Sequence, residues 1–289
     1  MEVYSNGFGK EACVKLLLAA GSDVHAVDKD GRISLMHAAR FGHEACVKLL
    51  LAAGSDVHAV DKNGWISLMH AASSGHEACV KLLLTAGSDV HAVDKVGRIS
   101  LMHAAWFEHE DCVKLLLAAG SDVHAVDKDG WTSLMYAASS GHKGCVKLLL
   151  TAGADAHAAA KNGKTSLMYA ADNGHEDCVK LLLTAGADVH AVDKYGMTSL
   201  MHAASSGHKG CVKLLLTAGS DMHAVDKDGW ISLMHAARFG KEACVKLLLA
   251  AGADVQALDK DGRNALMLAD SEGHQDCVEL LRTDQSHGV

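Results

Sequence analysis

The chain has 289 residues, with 27 Lys and Arg against 35 Asp and Glu, so its net charge is −8 with histidine neutral. An acidic balance disfavours nucleic acid and anionic membrane as main partners, because both need a basic face. Hydrophobic residues make up 49%, charged residues 21% and aromatics 4%, with no proline, which excludes a disordered chain and a core built on aromatic packing.

The start, Met1-Glu2-Val3-Tyr4, lacks the basic region and apolar stretch of a signal peptide. No apolar run reaches the roughly 18 residues of a membrane span. The expected compartment is the cytosol or nucleus, where thiols stay reduced. An odd count of nine cysteines already forbids complete internal pairing.

Residues 1–27 read as a partial repeat. Its first helix is worn, with Tyr4 and Phe8 in register with His37 and Phe41, and its second helix is intact. The chain thus begins inside a repeat, as a fragment of a longer protein would. From there Cys13, Cys46, Cys79, Cys112, Cys145, Cys178, Cys211, Cys244 and Cys277 recur every 33 residues. The aspartates of the Asp28 register keep the same step, and Ala160 is the one departure.

The unit 28–60 sets the pattern. Gly31 marks a tight turn, and Ser34–Arg40 reads as a short helix with Leu35, Met36 and Ala39 on one face. Gly42 suits a left-handed helix end. Glu44–Ala53 reads as a second helix with Cys46, Val47, Leu50 and Leu51 at helical spacing, and Gly54 ends it. Helices this short do not persist alone in water, so stability has to come from stacking of neighbouring units. Seven such units fill 28–258 without insertion or deletion. Residues 259–289 form the most polar unit, with Asp270, Ser271, Glu272, Gln275, Asp276 and Glu279, and read as a C-terminal cap. The expectation is one domain over 1–289 with no linker.

These features resemble the ankyrin repeat family: the glycine turn, Leu-x-x-Ala-Ala, Gly-His, Val-Lys-Leu-Leu-Leu and the Gly-Ser/Ala-Asp-Val ending, repeated over essentially the whole chain. The resemblance implies an all-α solenoid of stacked antiparallel helix pairs with β-hairpin-like fingers. It also implies protein binding through the fingers and first helices. One departure stands out. The family's Thr-Pro-Leu-His reads Ile33-Ser34-Leu35-Met36 here, and Thr132-Ser133-Leu134-Met135 in other units. Ser34 is then the expected helix cap.

The four Trp, four Phe and four Tyr all fall in the registers of Asp30, Arg32, His37, Arg40 and Phe41. By resemblance these are partner-contacting positions, and aromatics and Arg are the usual interface anchors. The candidate partner-binding residues are Arg32, Arg40, Phe41, Trp65, Arg98, Trp106, Phe107, Trp131, Tyr136, Tyr169, Tyr195, Met197, Trp230, Arg238 and Phe239. A packing reading stands beside this. Trp65 accompanies Ser73-Ser74 and Trp131 accompanies Ser139-Ser140, whereas Arg98 accompanies Trp106-Phe107, as if finger and helix end conserve volume together. Trp230 breaks that compensation by coinciding with Arg238 and Phe239. It is therefore the expected exposed anchor, with Tyr195 and Met197 nearby.

Other chemistry is weaker. The cysteines read as small core residues, and the Lys15 register reads as a solvated outer face. The 20 histidines form ladders that allow pairwise metal binding or a pH response, since 20 protons would take the charge from −8 to +12 around pH 6.5. A closed zinc site takes four ligands, and such a ladder brings two near any point. No nucleophile elbow, P-loop or dinucleotide motif is present, and every candidate group recurs with the repeat. The reading is a non-catalytic, monomeric protein-binding scaffold with no cofactor and no metal. The alternatives are a His-ladder metal- or pH-responsive module, or an architectural segment of a longer protein.

Overall fold

The computed structural model describes residues 10–285. Tyr4 and Phe8 lie outside them. Two compact units are present, Met1–Lys128 with Lys147–Ala154, and Asp129–Val146 with Asp155–Val289. Among the described residues there are seventeen helices and no strand. In chain order they begin with α1 (Lys10–Ala19), α2 (Ser34–Arg40), α3 (Glu44–Ala52), α4 (Ser67–Ser73), α5 (Glu77–Thr85), α6 (Ser100–Trp106) and α7 (Glu110–Ala118). Next come α8 (Ser133–Ser139), α9 (Lys143–Thr151), α10 (Ser166–Asp172), α11 (Glu176–Thr184) and α12 (Ser199–Ser206). The last are α13 (Lys209–Thr217), α14 (Ser232–Arg238), α15 (Glu242–Ala250), α16 (Ala265–Ser271) and α17 (Gln275–Gln285).

The helices alternate between a short first helix and a longer second helix, as the 33-residue pattern predicts. In the first unit α2 packs on α3 and α4, α4 packs on α5 and α6, and α1, α3, α5 and α7 stack in a row. In the second unit α8, α10, α12, α14 and α16 form one row, and α11, α13, α15 and α17 form another. Between the rows lie the apolar positions of each repeat. Leu68, Met69, Val80 and Leu83 have no exposed surface. Burying each such side chain contributes roughly 1.5–3 kcal/mol, which is what holds two-turn helices that would melt alone.

The fingers are tight turns. Asp61 N–H donates to Trp65 O across the turn at 3.0 Å, and the one isolated bridge in the described residues joins Ala159 and Thr165. Each finger is tied to the next by a backbone bond. Lys62, Lys95 and Lys128 donate to Asp30, Asn63 and Val96 at 2.9 Å.

Gly75 between the helices has φ +74°, and a Cβ there would lie 2.5 Å from Nδ1 of His109. That imidazole donates from Nε2 to the Ser73 carbonyl at 3.1 Å, joining consecutive repeats. Glu108 occupies the same register with φ 63°, a left-handed conformation that disfavours side chains.

The capping expectation is corrected. Ser34 starts α2, and the N-cap is Ile33, which offers no side-chain bond. Where threonine precedes the serine, it caps: the Thr132 hydroxyl accepts from Met135 N–H at 3.2 Å. Thr165, Thr198 and Asn264 do the same for their helices. The serine sits one residue inside the helix, and the buried hydroxyls of Ser67, Ser100, Ser133, Ser166, Ser199 and Ser232 find no partner.

Candidate partner-binding face

The fingers and first helices carry the candidate residues, and a buried aspartate organises each finger. Asp94 accepts the backbone N–H groups of Val96 and Arg98 at 2.9 Å, Arg98 Nε at 3.0 Å and His103 Nε2 at 3.2 Å. Burial alone would raise this carboxyl. The His103 bond, the Arg98 backbone bond, the Arg98 charge and the Val96 bond outweigh burial and hold it at about 2. An ionised carboxylate only accepts, so His103 carries its proton on Nε2. The same pair recurs as Asp61–His70, Asp193–His202 and Asp226–His235.

Burial bears on the expected pH response at four of the first-helix histidines. Burial lowers His70 to about 4 against the pull of Asp61, with Arg32 and Arg40 adding to the lowering. Burial likewise lowers His103, His202 and His235. For these four rings protonation is shifted below the ordinary histidine range. The hairpin-approach rungs, such as His58 and His91, are exposed. Among the described residues no group of three or more His, Cys, Asp or Glu is placed to hold a metal ion.

Ala160 sits in a finger of different make-up. Its first-helix partner is Tyr169 instead of histidine, and that hydroxyl bonds the side chain of Asn162 at 3.0 Å. The Ala160 methyl joins a core of Met135, Ala160 and Tyr169 with Trp131 packed against it.

The finger tryptophans pack inward. Trp65 lies between His70 and His103, at 5.1 and 4.3 Å between ring centroids. Trp131 lies between Tyr136 and Tyr169, at 5.0 and 4.2 Å, and both tyrosines are buried. Trp230, expected to be the exposed anchor, is corrected: it is 8% exposed, and its indole N–H donates to Asp259 Oδ2 at 3.0 Å. The Arg238 guanidinium covers it at 5.0 Å from the ring centroid. Finger and helix-end registers therefore do meet. Arg98 lies over Trp106 at 5.5 Å, and Lys164 bonds Asp172 at 2.9 Å.

The exposed candidates are Arg40, Phe41, Trp106, Phe107, Tyr195 and Phe239. Phe41, Phe107 and Phe239 are 46–48% exposed whatever their finger residue is, and Tyr195 is 68% exposed. Arg32, Arg98, Met197 and Arg238 are half-buried. Trp106 and Phe107 stack on each other with centroids 5.4 Å apart.

The sequence reading missed one exposed set. Val27, Val60, Val93 and Val126 in the first unit, and Val192, Val225 and Leu258 in the second, stand more than half exposed on the fingers. Their signal was an apolar residue recurring directly before the finger aspartate.

The outer second helices carry the lysine row, with exposed ion pairs such as Lys48–Glu44 and Lys114–Asp111. Their cysteines are buried except Cys13. Burial pushes the Cys79 thiol up to about 11 and Cys112 to about 12, with neighbouring carboxylates adding to the effect. No helix among the described residues is long and apolar enough to cross a membrane.

A search of the curated proteins gives no match. The family model for ankyrin repeats (three copies) matches residues 2–94, 101–193, 152–226 and 200–288. With the helix pairs stacked inside each unit, the finger turns and the repeat-to-repeat Gly-His contacts, the chain belongs to the ankyrin repeat family.

Proposed function

We propose that this chain is a non-catalytic scaffold of the cytosol or nucleus, acting as a monomer and binding partner proteins through its fingers and first-helix ends. Repeats of this family are generally protein–protein interaction modules. The observation that carries the finer reading is where variation survives at the surface. The core positions of every repeat hold nearly the same residues, while Arg40, Phe41, Trp106, Phe107, Tyr195 and Phe239 differ from repeat to repeat and stay exposed. Large rings and guanidinium groups on such positions supply binding energy with little side-chain ordering. The exposed valines add an apolar ridge along the fingers.

A crosslinked pull-down from native lysate, read by mass spectrometry, tests this. It compares the wild-type chain with a Trp106→Ala, Phe107→Ala, Tyr195→Ala, Phe239→Ala variant that keeps its helical circular dichroism. A protein captured by the wild type and lost by the variant supports the reading. Equal capture by both moves the contact to the outer helices and overturns it.

A further inference from the structure

We propose that the cleft bounded by Arg32, Arg40, Trp65 and Phe107 is a carboxylate-recognition site for an acidic side chain of a protein partner. It rests on the scaffold reading and adds the chemistry of one anchor point.

The registers of Arg32 and Arg40 face each other in the repeats, and elsewhere they are complementary. Arg98 stacks on Trp106, Lys164 pairs with Asp172, and Trp230 is covered by Arg238. The remaining pairs set Trp, Met or Arg beside Ser. Only the repeat beginning at Asp28 places two like charges there, Arg32 with Arg40.

Both guanidinium groups open on one cavity of about 270 Å³, whose walls include Trp65, Ser73, Ser74 and Phe107. The Arg40 side chain makes no ion pair among the described residues; its guanidinium lies 5.7 Å from the Phe41 ring centroid, and its carbonyl accepts from His76 Nε2 at 3.0 Å. Arg32 gives one amino group to Asp30 at 3.0 Å. Its Nε is buried without a hydrogen bond, 3.9 Å from Asp61 Oδ2. Asp61, at the base, and Asp30 both lie within ion-pair distance of Arg32, so the formal charge around the cleft is balanced, yet neither carboxylate pairs with Arg40. One Asp61 oxygen takes the backbone N–H groups of Asn63 and Trp65, and the other takes His70 Nε2.

This arrangement fits a carboxylate. Two guanidinium groups offer planar donors that match its two oxygens. The Trp65 and Phe107 rings can cover the methylenes of a Glu or Asp side chain, and the Ser74 hydroxyl is a further donor. The volume lies below the roughly 300–1,000 Å³ of small-molecule pockets, so it suits one side chain. The net charge of −8 opposes a polyanion such as nucleic acid.

The test uses arrayed nonapeptides with a central Glu and varied flanks, and a matched array with a central Gln, both probed with the intact chain. Glu-centred peptides are expected to hold the chain at least tenfold more strongly than their Gln matches. Arg40→Gln is expected to reduce Glu-peptide capture to the Gln level, and Arg40→Lys to retain part of it. Arg40 is exposed, so these variants leave the core untouched. Equal binding to Glu and Gln peptides, no binding to either array, or no effect of Arg40→Gln would overturn the proposal. So would displacement of the Glu peptides by a short oligonucleotide at equal concentration. A Tyr195→Ala, Phe239→Ala variant separates the two readings. If it lowers lysate capture while Arg40→Gln changes nothing, the scaffold reading stands and the carboxylate cleft falls.

Discussion

The indole N–H of Trp230 donates to the carboxylate of Asp259, one finger further along, at 3.0 Å. Asp259 already binds the backbone of Asp261 and Arg263 and the Arg263 guanidinium. The indole thus joins a satisfied network and ties two consecutive fingers together. It serves packing and position, while Phe239, nine residues further on at the end of α14, remains half exposed.

Trp230→Phe is expected to cost about 1–2 kcal/mol by removing a buried bond to a charged acceptor. Trp230→Ala is expected to cost about 3–5 kcal/mol through the added cavity. Phe239→Ala should fall within about 0.5 kcal/mol of wild type. Urea melts measure all three. In a chain whose Trp65, Trp106 and Trp131 are replaced by Phe, the remaining emission should be blue-shifted and resistant to acrylamide.

Acidification should destabilise the chain well above the carboxylate range. His70 has a folded value of about 4, against 6.5 when unfolded, and His103, His202 and His235 are also lowered. Below pH 6.5 the unfolded chain binds protons that the folded chain does not, so stability falls as pH falls. The loss from His70 is complete near pH 4. Asp94, held at about 2, contributes stability that is lost only below its unfolded value of 3.8. Melting temperatures at pH 7.5, 6.5 and 5.5 should therefore decline, and His70→Gln should flatten the decline. A rise on acidification would contradict neutral burial of these rings.

Glu108→Gly should stabilise by about 1 kcal/mol, because it relieves a left-handed residue with a side chain. Gly75→Ala should cost more than that gain. It adds the same backbone strain and drives a Cβ into the His109 ring that joins the repeats. Paired thermal melts of the two variants should move in opposite directions.

Serine and threonine at the first-helix start should behave oppositely too. Ser100→Ala removes a buried hydroxyl with no partner, so stability should rise by about 1 kcal/mol. Thr132→Val keeps the shape and deletes the cap to Met135, so stability should fall by about 1 kcal/mol. Guanidinium melts of both single variants check the signs.

The helix pairs, their glycine ends and the core were legible because each is a local pattern. A glycine at Gly42 or Gly54 reports a left-handed backbone, and Cys46, Val47 and Leu50 report one buried face at helical spacing. The cap was misread because Ser34 and Ile33 are adjacent, and one residue decides which of them flanks the helix.

The candidate face was only half legible. Trp65, Trp131 and Trp230 share one register, and Phe41, Phe107 and Phe239 share another. Sequence by itself determined the 33-residue period, the helix pair and the registers that carry rings and charges. The tertiary structure decided which rings are spent on packing. Their partners, His103 for Trp65, Tyr169 for Trp131 and Asp259 for Trp230, lie 29–38 residues away and meet them only when repeats stack. Exposure depends on those neighbours, and no pattern within a single repeat encodes them.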